Sequence, residues 1–381
     1  MVEPSAGRPT VVVSVNAAWN LVNFRQSLLR GLVAAGYRVV ALAPPDGYEE
    51  RLAALGVDYV PIRIDGRGVS PLTDARLLLN YVAILRRLRP STYLGFTVKP
   101  NVYGGLACQV LGIPRIANIA GLGTAFLGRG ALNRIVRLLY RAGLRGAERV
   151  FFQNGEDRAH FVTERLVREQ QTALLPGSGV DLVRFTPQAR RSDGRTVFLL
   201  VTRLLWAKGV AEYVAAAHDV RSRQGDAVAF RILGIRDTSA GGIDAATLDG
   251  WRKGGVVELL DAVDDVRPVL ADADCAVLPS YYPEGTPRSL LEAAGMGKAI
   301  ITTDTPGCRD VVDDGLNGFR CAPRSVPSLV TALERYLTLD GDARSKMGAA
   351  SRRKAEREFD ERIVVERYVR ELAGMVGRRP G

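Results

Sequence analysis

The chain has 381 residues, 47% of them hydrophobic and 24% charged, a globular composition that is long for one core and comfortable for two domains. Its four cysteines (Cys108, Cys275, Cys308, Cys321) lack CxxC spacing and there are two histidines, His160 and His218, so neither a zinc site nor a disulfide framework is expected, only the reduced thiols of a cytosolic protein. The formal charge of +11 is one-sided: residues 1–190 hold 24 Lys/Arg and 13 Asp/Glu, residues 191–381 hold 28 of each, and between Asp74 and Glu148 eleven basic residues stand without a single acid. Such a patch points to a polyanionic partner, whether nucleic acid, an anionic membrane face or a diphosphate substrate. No apolar run is long enough for a membrane span, and Val11-Val12-Val13-Ser14-Val15 is too short for a signal peptide.

Strand and helix patterns alternate along the whole chain, the signature of parallel sheets covered by helices. In the first half, strands are predicted near 10–15, 38–43, 58–62, 92–96, 115–119 and 149–152, with helices near 21–35, 72–89, 101–111 and 130–145. The turn-rich stretch from Pro176-Gly177-Ser178-Gly179 to Pro187–Arg195 marks the domain boundary, giving domains over 1–185 and 186–381. Strands follow near 196–201, 229–233, 256–260, 274–278 and 299–303, then charged helices near 342–358 and 360–375, the last a brace that packs through Ile363, Val364, Tyr368 and Leu372 and is able to reach the N-terminal domain. In such doubly wound folds ligands bind at the C-terminal ends of the strands.

The most informative stretch is Pro283-Glu284-Gly285-Thr286-Pro287-Arg288-Ser289-Leu290-Leu291-Glu292, which follows the strand-like Ala276-Val277-Leu278. Pro287 suits the first position of a helix, because its missing N–H had no partner there. A strand, a tight turn and a helix N-terminus make an anion site. Two carboxylates beside it fit a phosphate joined to hydroxyl-rich sugars, since carboxylates accept hydrogen bonds from sugar hydroxyls. That describes a nucleotide sugar. Upstream, Thr202-Arg203-Leu204-Leu205-Trp206-Ala207-Lys208-Gly209 places a guanidinium and an ammonium on a strand-to-helix turn, suited to a diphosphate whose charge grows as its bond to sugar breaks.

Together with Gly297–Val312 and Gly315-Leu316-Asn317-Gly318-Phe319, these motifs resemble family 4 of the retaining glycosyltransferases, over about residues 10–375. The resemblance implies the GT-B fold: α/β, two Rossmann-like doubly wound domains facing a central cleft, the C-terminal helix bracing the two. It implies that Arg203 and Lys208 bind the donor diphosphate, Glu284 the donor sugar and Glu292 the ribose hydroxyls. Backbone groups of Gly285, Thr286, Pro287, Ser289 and Leu290 would line phosphate and sugar, and Leu260 the base. Arg203, Lys208 and Glu284 form the catalytic set, with the leaving diphosphate itself accepting the proton of the incoming hydroxyl. The sequence departs from the family pattern at Asp261, often glycine, and at Ile235-Arg236-Asp237, which replaces a glycine-rich turn. No DxD pair accompanies the donor motif, so no metal or other cofactor is expected, only a nucleotide sugar, UDP-linked, as co-substrate.

In the first half, Asn16-Ala17-Ala18-Trp19-Asn20, Gly95–Gly104, Asn118–Thr124 and Phe152-Gln153-Asn154 resemble bacterial transferases that extend sugars on polyprenyl diphosphate in N-glycan, capsule or O-antigen assembly. By that resemblance Asn16, Lys99, Asn101 and Asn118 would meet a lipid-linked saccharide acceptor, and an N-acetylhexosamine or related hexose would be transferred. The segment 131–145 is basic and amphipathic, with Arg134, Arg137, Arg141 and Arg145 on one face, the form of a helix that lies on an anionic leaflet. The expected location is cytoplasmic, peripheral on the inner face of the plasma membrane. Nucleic acid is not expected as partner, because the basic segment lacks interleaved stacking aromatics. Two other readings stay open: a nucleotide-sugar epimerase of the same fold, and a silent scaffold on the membrane.

Overall fold

The computed structural model describes residues 7–65, 70–121, 131–189, 194–239 and 241–376. Leu122, Gly123 and Thr124 of the N-terminal motif, and positions 190–193 of the boundary stretch, lie outside them. The chain forms two units: Met1–Ser178 together with Glu361–Gly381, and Gly179–Asp360.

The first unit is a seven-stranded parallel sheet of β1 (Thr10–Ser14), β2 (Arg38–Ala43), β3 (Asp58–Pro61), β4 (Thr92–Phe96), β5 (Arg115–Ile119), β6 (Arg149–Phe152) and β7 (Thr172–Leu174), in the order β3-β2-β1-β4-β5-β6-β7. Both faces are covered, so strands such as β4 and β5 are buried at every residue. Alternate side chains of β4 feed two different layers. Tyr93 packs with Leu77, Tyr81, Val136 and Tyr140 from the helices Pro71–Leu88 and Ala131–Leu144. Leu94 and Phe96 pack with Leu28 and Leu29 of the helix Gln26–Ala34, and with Val364, Tyr368 and Leu372 of the C-terminal helix Glu361–Val376. Tyr368 stands 5.0 Å from the Phe151 ring and its hydroxyl accepts a 3.0 Å bond from Asn118 Nδ2.

The second unit is a six-stranded parallel sheet of β8 (Thr196–Leu204), β9 (Val228–Arg236), β10 (Glu258–Leu260), β11 (Cys275–Leu278), β12 (Ala299–Thr303) and β13 (Gly318–Cys321), ordered β10-β9-β8-β11-β12-β13. Strands β7 and β13 are absent from the sequence-based assignment. β7 is three residues long at a sheet edge, and β13 opens with glycine and carries an exposed Arg320, so neither has an apolar run. Among the described residues, no helix is long and apolar enough to cross a membrane.

The C-terminal helix thus completes the core of the unit in which the chain begins. Deleting 361–381 uncovers the partners of Val364, Tyr368 and Leu372, each worth about 1.5–3 kcal/mol when buried. Amide hydrogen exchange should show lost protection in β1, β4 and β6, with β8 and β12 unchanged.

Candidate active site

In both sheets the strand order reverses next to the first strand of the unit: between β1 and β4, and between β8 and β11. Such a switch point opens a crevice at the carboxyl ends of the strands, because the connections on either side run to opposite faces. The donor-side residues gather at the β8/β11 point. After β8 the chain makes a short 3₁₀ turn, Trp206–Lys208, and Gly209 caps the helix Val210–Gln224 in the left-handed conformation, φ 75°. A Cβ at Gly209 would overlap the Pro279 carbonyl, so glycine is required on two counts. After β11 the turn 279–287 leads into the helix Arg288–Gly295. Pro287 stands one position before that helix, as its N-cap with ψ 120°. The two loops are stitched together by Tyr281 N–H donating to the Ala207 carbonyl at 2.9 Å.

Three ion pairs organise this end of the sheet. Lys208 Nζ donates to Glu284 Oε2, with the two side chains only 9% and 15% exposed. The other carboxylate oxygen, Oε1, accepts from the buried Ser280 hydroxyl at 2.8 Å. Arg288 Nε donates to Glu292 Oε1 at 2.8 Å, one helical turn apart. Burial pushes the Glu292 carboxyl above its ordinary pKa, and Arg288 pulls it back only in part. Arg203 Nη1 donates to Asp237 Oδ2 at 2.9 Å, with the guanidinium half exposed. Gly285, Thr286 and Pro287 are buried beside Glu284, and Gly307, at φ 78°, lets the next loop lie against the Gly285 carbonyl. Ser289 is half-buried and Leu290 fully buried in the first turn of the helix; Leu260 ends the edge strand β10, half-buried. The arrangement can hold an anion between two cations and offer carboxylates to hydroxyl groups.

Ser280, Arg288 and Asp237 were not foreseen from sequence. Ser280 is the first side chain with a hydroxyl after the apolar β11 run, and Arg288 stands four residues before Glu292 on one helix; both signals were present. Asp237 lies 34 residues from Arg203, and only the parallel pairing of β8 with β9 joins them.

The β1/β4 point gathers Asn16, which is exposed, and Lys99. Lys99 is no free cation: its Nζ donates to the buried Asp74 at 2.8 Å. Asn101 and Asn118 are both buried, and their amide nitrogens serve the scaffold, Asn101 donating to the Asn118 carbonyl at 2.8 Å and Asn118 to Tyr368. The chain here is irregular. Thr97 has φ 72°, rare for a β-branched residue, and Pro100–Gly104 form a π-helical turn. In the basic helix the four arginines divide. Arg137 pairs with Glu164, and Arg141 donates to the carbonyls of Glu164 and Arg165. Arg134, Arg141 and Arg145 are exposed, alongside Ile135 and Leu138 at 46% and 62%, and of the three Arg141 is held by those carbonyls.

Residues 195–339 match the model of the glycosyl transferases group 1, and residues 22–178 match that of the glycosyl transferase 4-like domain. The two matches take in most of the chain, and the protein belongs to these glycosyltransferases; it is an enzyme of that class. It is 26% identical over 373 residues to the N,N'-diacetylbacillosaminyl-diphospho-undecaprenol alpha-1,3-N-acetylgalactosaminyltransferase of Campylobacter jejuni, covering 93% of this chain and 96% of the relative. It is 21% identical to the capsular polysaccharide biosynthesis glycosyltransferase CapM of Staphylococcus aureus, covering 79% and 81%. Among solved structures, a glycosyltransferase from Rickettsia africae superposes with TM-score 0.80 at 14% identity, over 98% of this chain and all of that one. Anabaena HepE, solved with UDP and glucose, gives 0.78 at 17%, over 96% of this chain and all of that one. The fold is GT-B.

Because burial raises the Glu292 pKa in the folded protein, its ionised form is the less favoured there. Stability is therefore lost as pH rises from below the unfolded value of about 4.3. Glu292→Gln should raise Tm at pH 7 and lose that advantage near pH 4, in thermal melts across the range.

Proposed function

We propose that the protein transfers a sugar, an N-acetylhexosamine or related hexose, from a UDP-sugar to a polyprenyl-diphosphate-linked saccharide, with retention of anomeric configuration. The observation that carries this is the Lys208–Glu284 pair across the β8/β11 switch point, with Arg203 near the end of β8 and Glu292 in the helix that follows the β11 turn. Arg203 and Lys208 meet the donor diphosphate, Glu284 the donor sugar, Glu292 the ribose; Leu260 borders the base, and the backbone from Gly285 to Leu290 lines the phosphate and sugar. Both oxygens of Glu284 are already engaged, by Lys208 and Ser280, which suits a gripping role better than nucleophilic attack. The diphosphate leaves on the face from which the acceptor arrives, and its oxygen takes the acceptor hydroxyl's proton while the cations offset its growing charge. The acceptor reading draws support from the name of the Campylobacter relative, a diphospho-undecaprenol-linked enzyme that this chain matches nearly end to end. Asn16 and Lys99 would border the acceptor, with Asn101 and Asn118 bracing the loops beneath.

The test is a screen of radiolabelled UDP-, GDP- and dTDP-sugars against polyprenyl-diphosphate-linked acceptors. Transfer from a UDP-sugar is expected, and Arg203→Ala should cut kcat about 10²–10³-fold, as loss of one charge-stabilising donor does elsewhere. Conversion of a nucleotide sugar with no acceptor present would make the protein an epimerase; no binding of any nucleotide sugar would make it a scaffold.

The second element of the proposal is reversible docking on the anionic inner face of the plasma membrane. Exposed Leu138 and Ile135 between exposed Arg134 and Arg145 supply apolar contact and charge together. With two outward arginines, at about 1 kcal/mol each, attachment is weak and salt-sensitive. Vesicle flotation should show binding to phosphatidylglycerol but not phosphatidylcholine vesicles, lost in Leu138→Glu. Equal binding of that variant would remove this helix from the role.

A further inference from the structure

The loop after β9 is laced to the end of β8 more tightly than its sequence suggests. Trp206 N–H donates to the Gly241 carbonyl at 3.1 Å and Ile243 N–H to the Leu204 carbonyl at 3.0 Å, while Gly242 N–H closes back on Ser239 at 2.8 Å. Asp237 sits in this loop with a side chain only 14% exposed. Its Oδ1 accepts from Ser239 N–H at 2.8 Å and its Oδ2 from Arg203 Nη1 at 2.9 Å. Ile235 pairs with Arg203 across the β8–β9 ladder, which brings Asp237, just past the end of β9, within reach of the guanidinium. The carboxylate is thus fixed from two directions, and the arginine is the more exposed member of the pair.

We propose that Asp237 is a positioning residue for Arg203: it holds the guanidinium by one nitrogen in the orientation that meets the donor diphosphate and leaves the other N–H groups for the ligand. This rests on the donor-side role given to Arg203 above. A guanidinium carries five donors in a rigid fork, so one bond to a fixed carboxylate sets its plane without exhausting it. An arginine free on a long stem would have to be ordered during the reaction, and a small misplacement of a catalytic cation is costly in rate.

A double-mutant cycle on the full chain tests it, with kcat and KM for transfer from the UDP-sugar that the screen identifies and calorimetric binding of UDP. Asp237→Ala should lower kcat about tenfold or more with a smaller change in KM. Asp237→Asn, which keeps an acceptor oxygen, should recover part of the loss. In an Arg203→Ala background, Asp237→Ala should cost nothing further. Additive losses in the cycle, or a kcat unchanged by Asp237→Ala while Arg203→Ala is impaired, would overturn the proposal. A normal kcat in Arg203→Ala would overturn the donor-side role itself. Should Asp237→Ala fail to fold by thermal melting, Asp237→Asn carries the cycle: a loss that vanishes in the Arg203→Ala background supports the anchor, and one that persists refutes it.

Discussion

The pair between Lys208 and Glu284 is the contact on which the second unit's working end depends. It joins residues 76 positions apart, one on the turn after β8 and one on the turn after β11, and it does so where both side chains are largely withdrawn from water. Neither charge would be tolerable there alone, since removing one member of a buried pair costs about 3–5 kcal/mol. Each therefore dictates the other's place. Ser280 fixes the second oxygen of Glu284, and the Ser280 carbonyl in turn accepts from the Thr303 and Thr305 hydroxyls at the end of β12. The switch point is held as one polar unit reaching across three neighbouring strands.

That arrangement has an electrostatic consequence. Both cations assigned to the donor, Arg203 and Lys208, are already paired with a carboxylate, as is Arg288 beside them with Glu292. On the proposed reading, a diphosphate entering the site meets Arg203 and Lys208 already paired. It must share cations with Asp237 and Glu284, and this is favourable where the same ligand also brings hydroxyl groups to the carboxylates. Inorganic phosphate brings none. On the proposed function, pairing would act as discrimination, favouring a ligand that is a diphosphate at one end and a polyol at the other.

Most of the scaffold was legible in the sequence, because parallel strands buried on both faces read as apolar runs and the helices between them have amphipathic periods. β7 and β13 escaped because their pairing comes from neighbours and not from their own composition. The two glutamates, Arg203 and Lys208 were legible as chemistry, since carboxylates and cations at strand ends have few structural reasons to recur. Their partners were less so. Asp237 meets Arg203 only through β-sheet pairing, and Lys99 loses its apparent freedom to Asp74, 25 residues earlier. The same holds for the basic helix, where spacing puts four arginines on one face and long side chains then redistribute them, two toward Glu164 and Arg165 and two outward.

Asp74 explains why the charge count misleads at the level of single residues and still holds at the level of surfaces. It bounds the acid-free stretch on the N-terminal side and, itself buried, is paired with Lys99, so the two charges offset one another. Exposed arginines stand on the helices of that layer: Arg76, Arg86 and Arg87 on Pro71–Leu88, and Arg134, Arg141 and Arg145 along the basic helix, with Glu156 an exposed acid on the neighbouring helix Gly155–Thr163. Leu72 and Leu79 stand exposed on the first of these helices as Ile135 and Leu138 do on the second. Exposed leucines singly are ordinary on a protein surface. Set among these cations, they offer the charge and apolar contact together that the proposed membrane docking calls for. On the proposed reading, the contrast between the two units follows from where carboxylates are placed: beside most of the described cations of the second, Arg203, Lys208 and Arg288 among them, and buried, as Asp74 is, on the basic helices of the first.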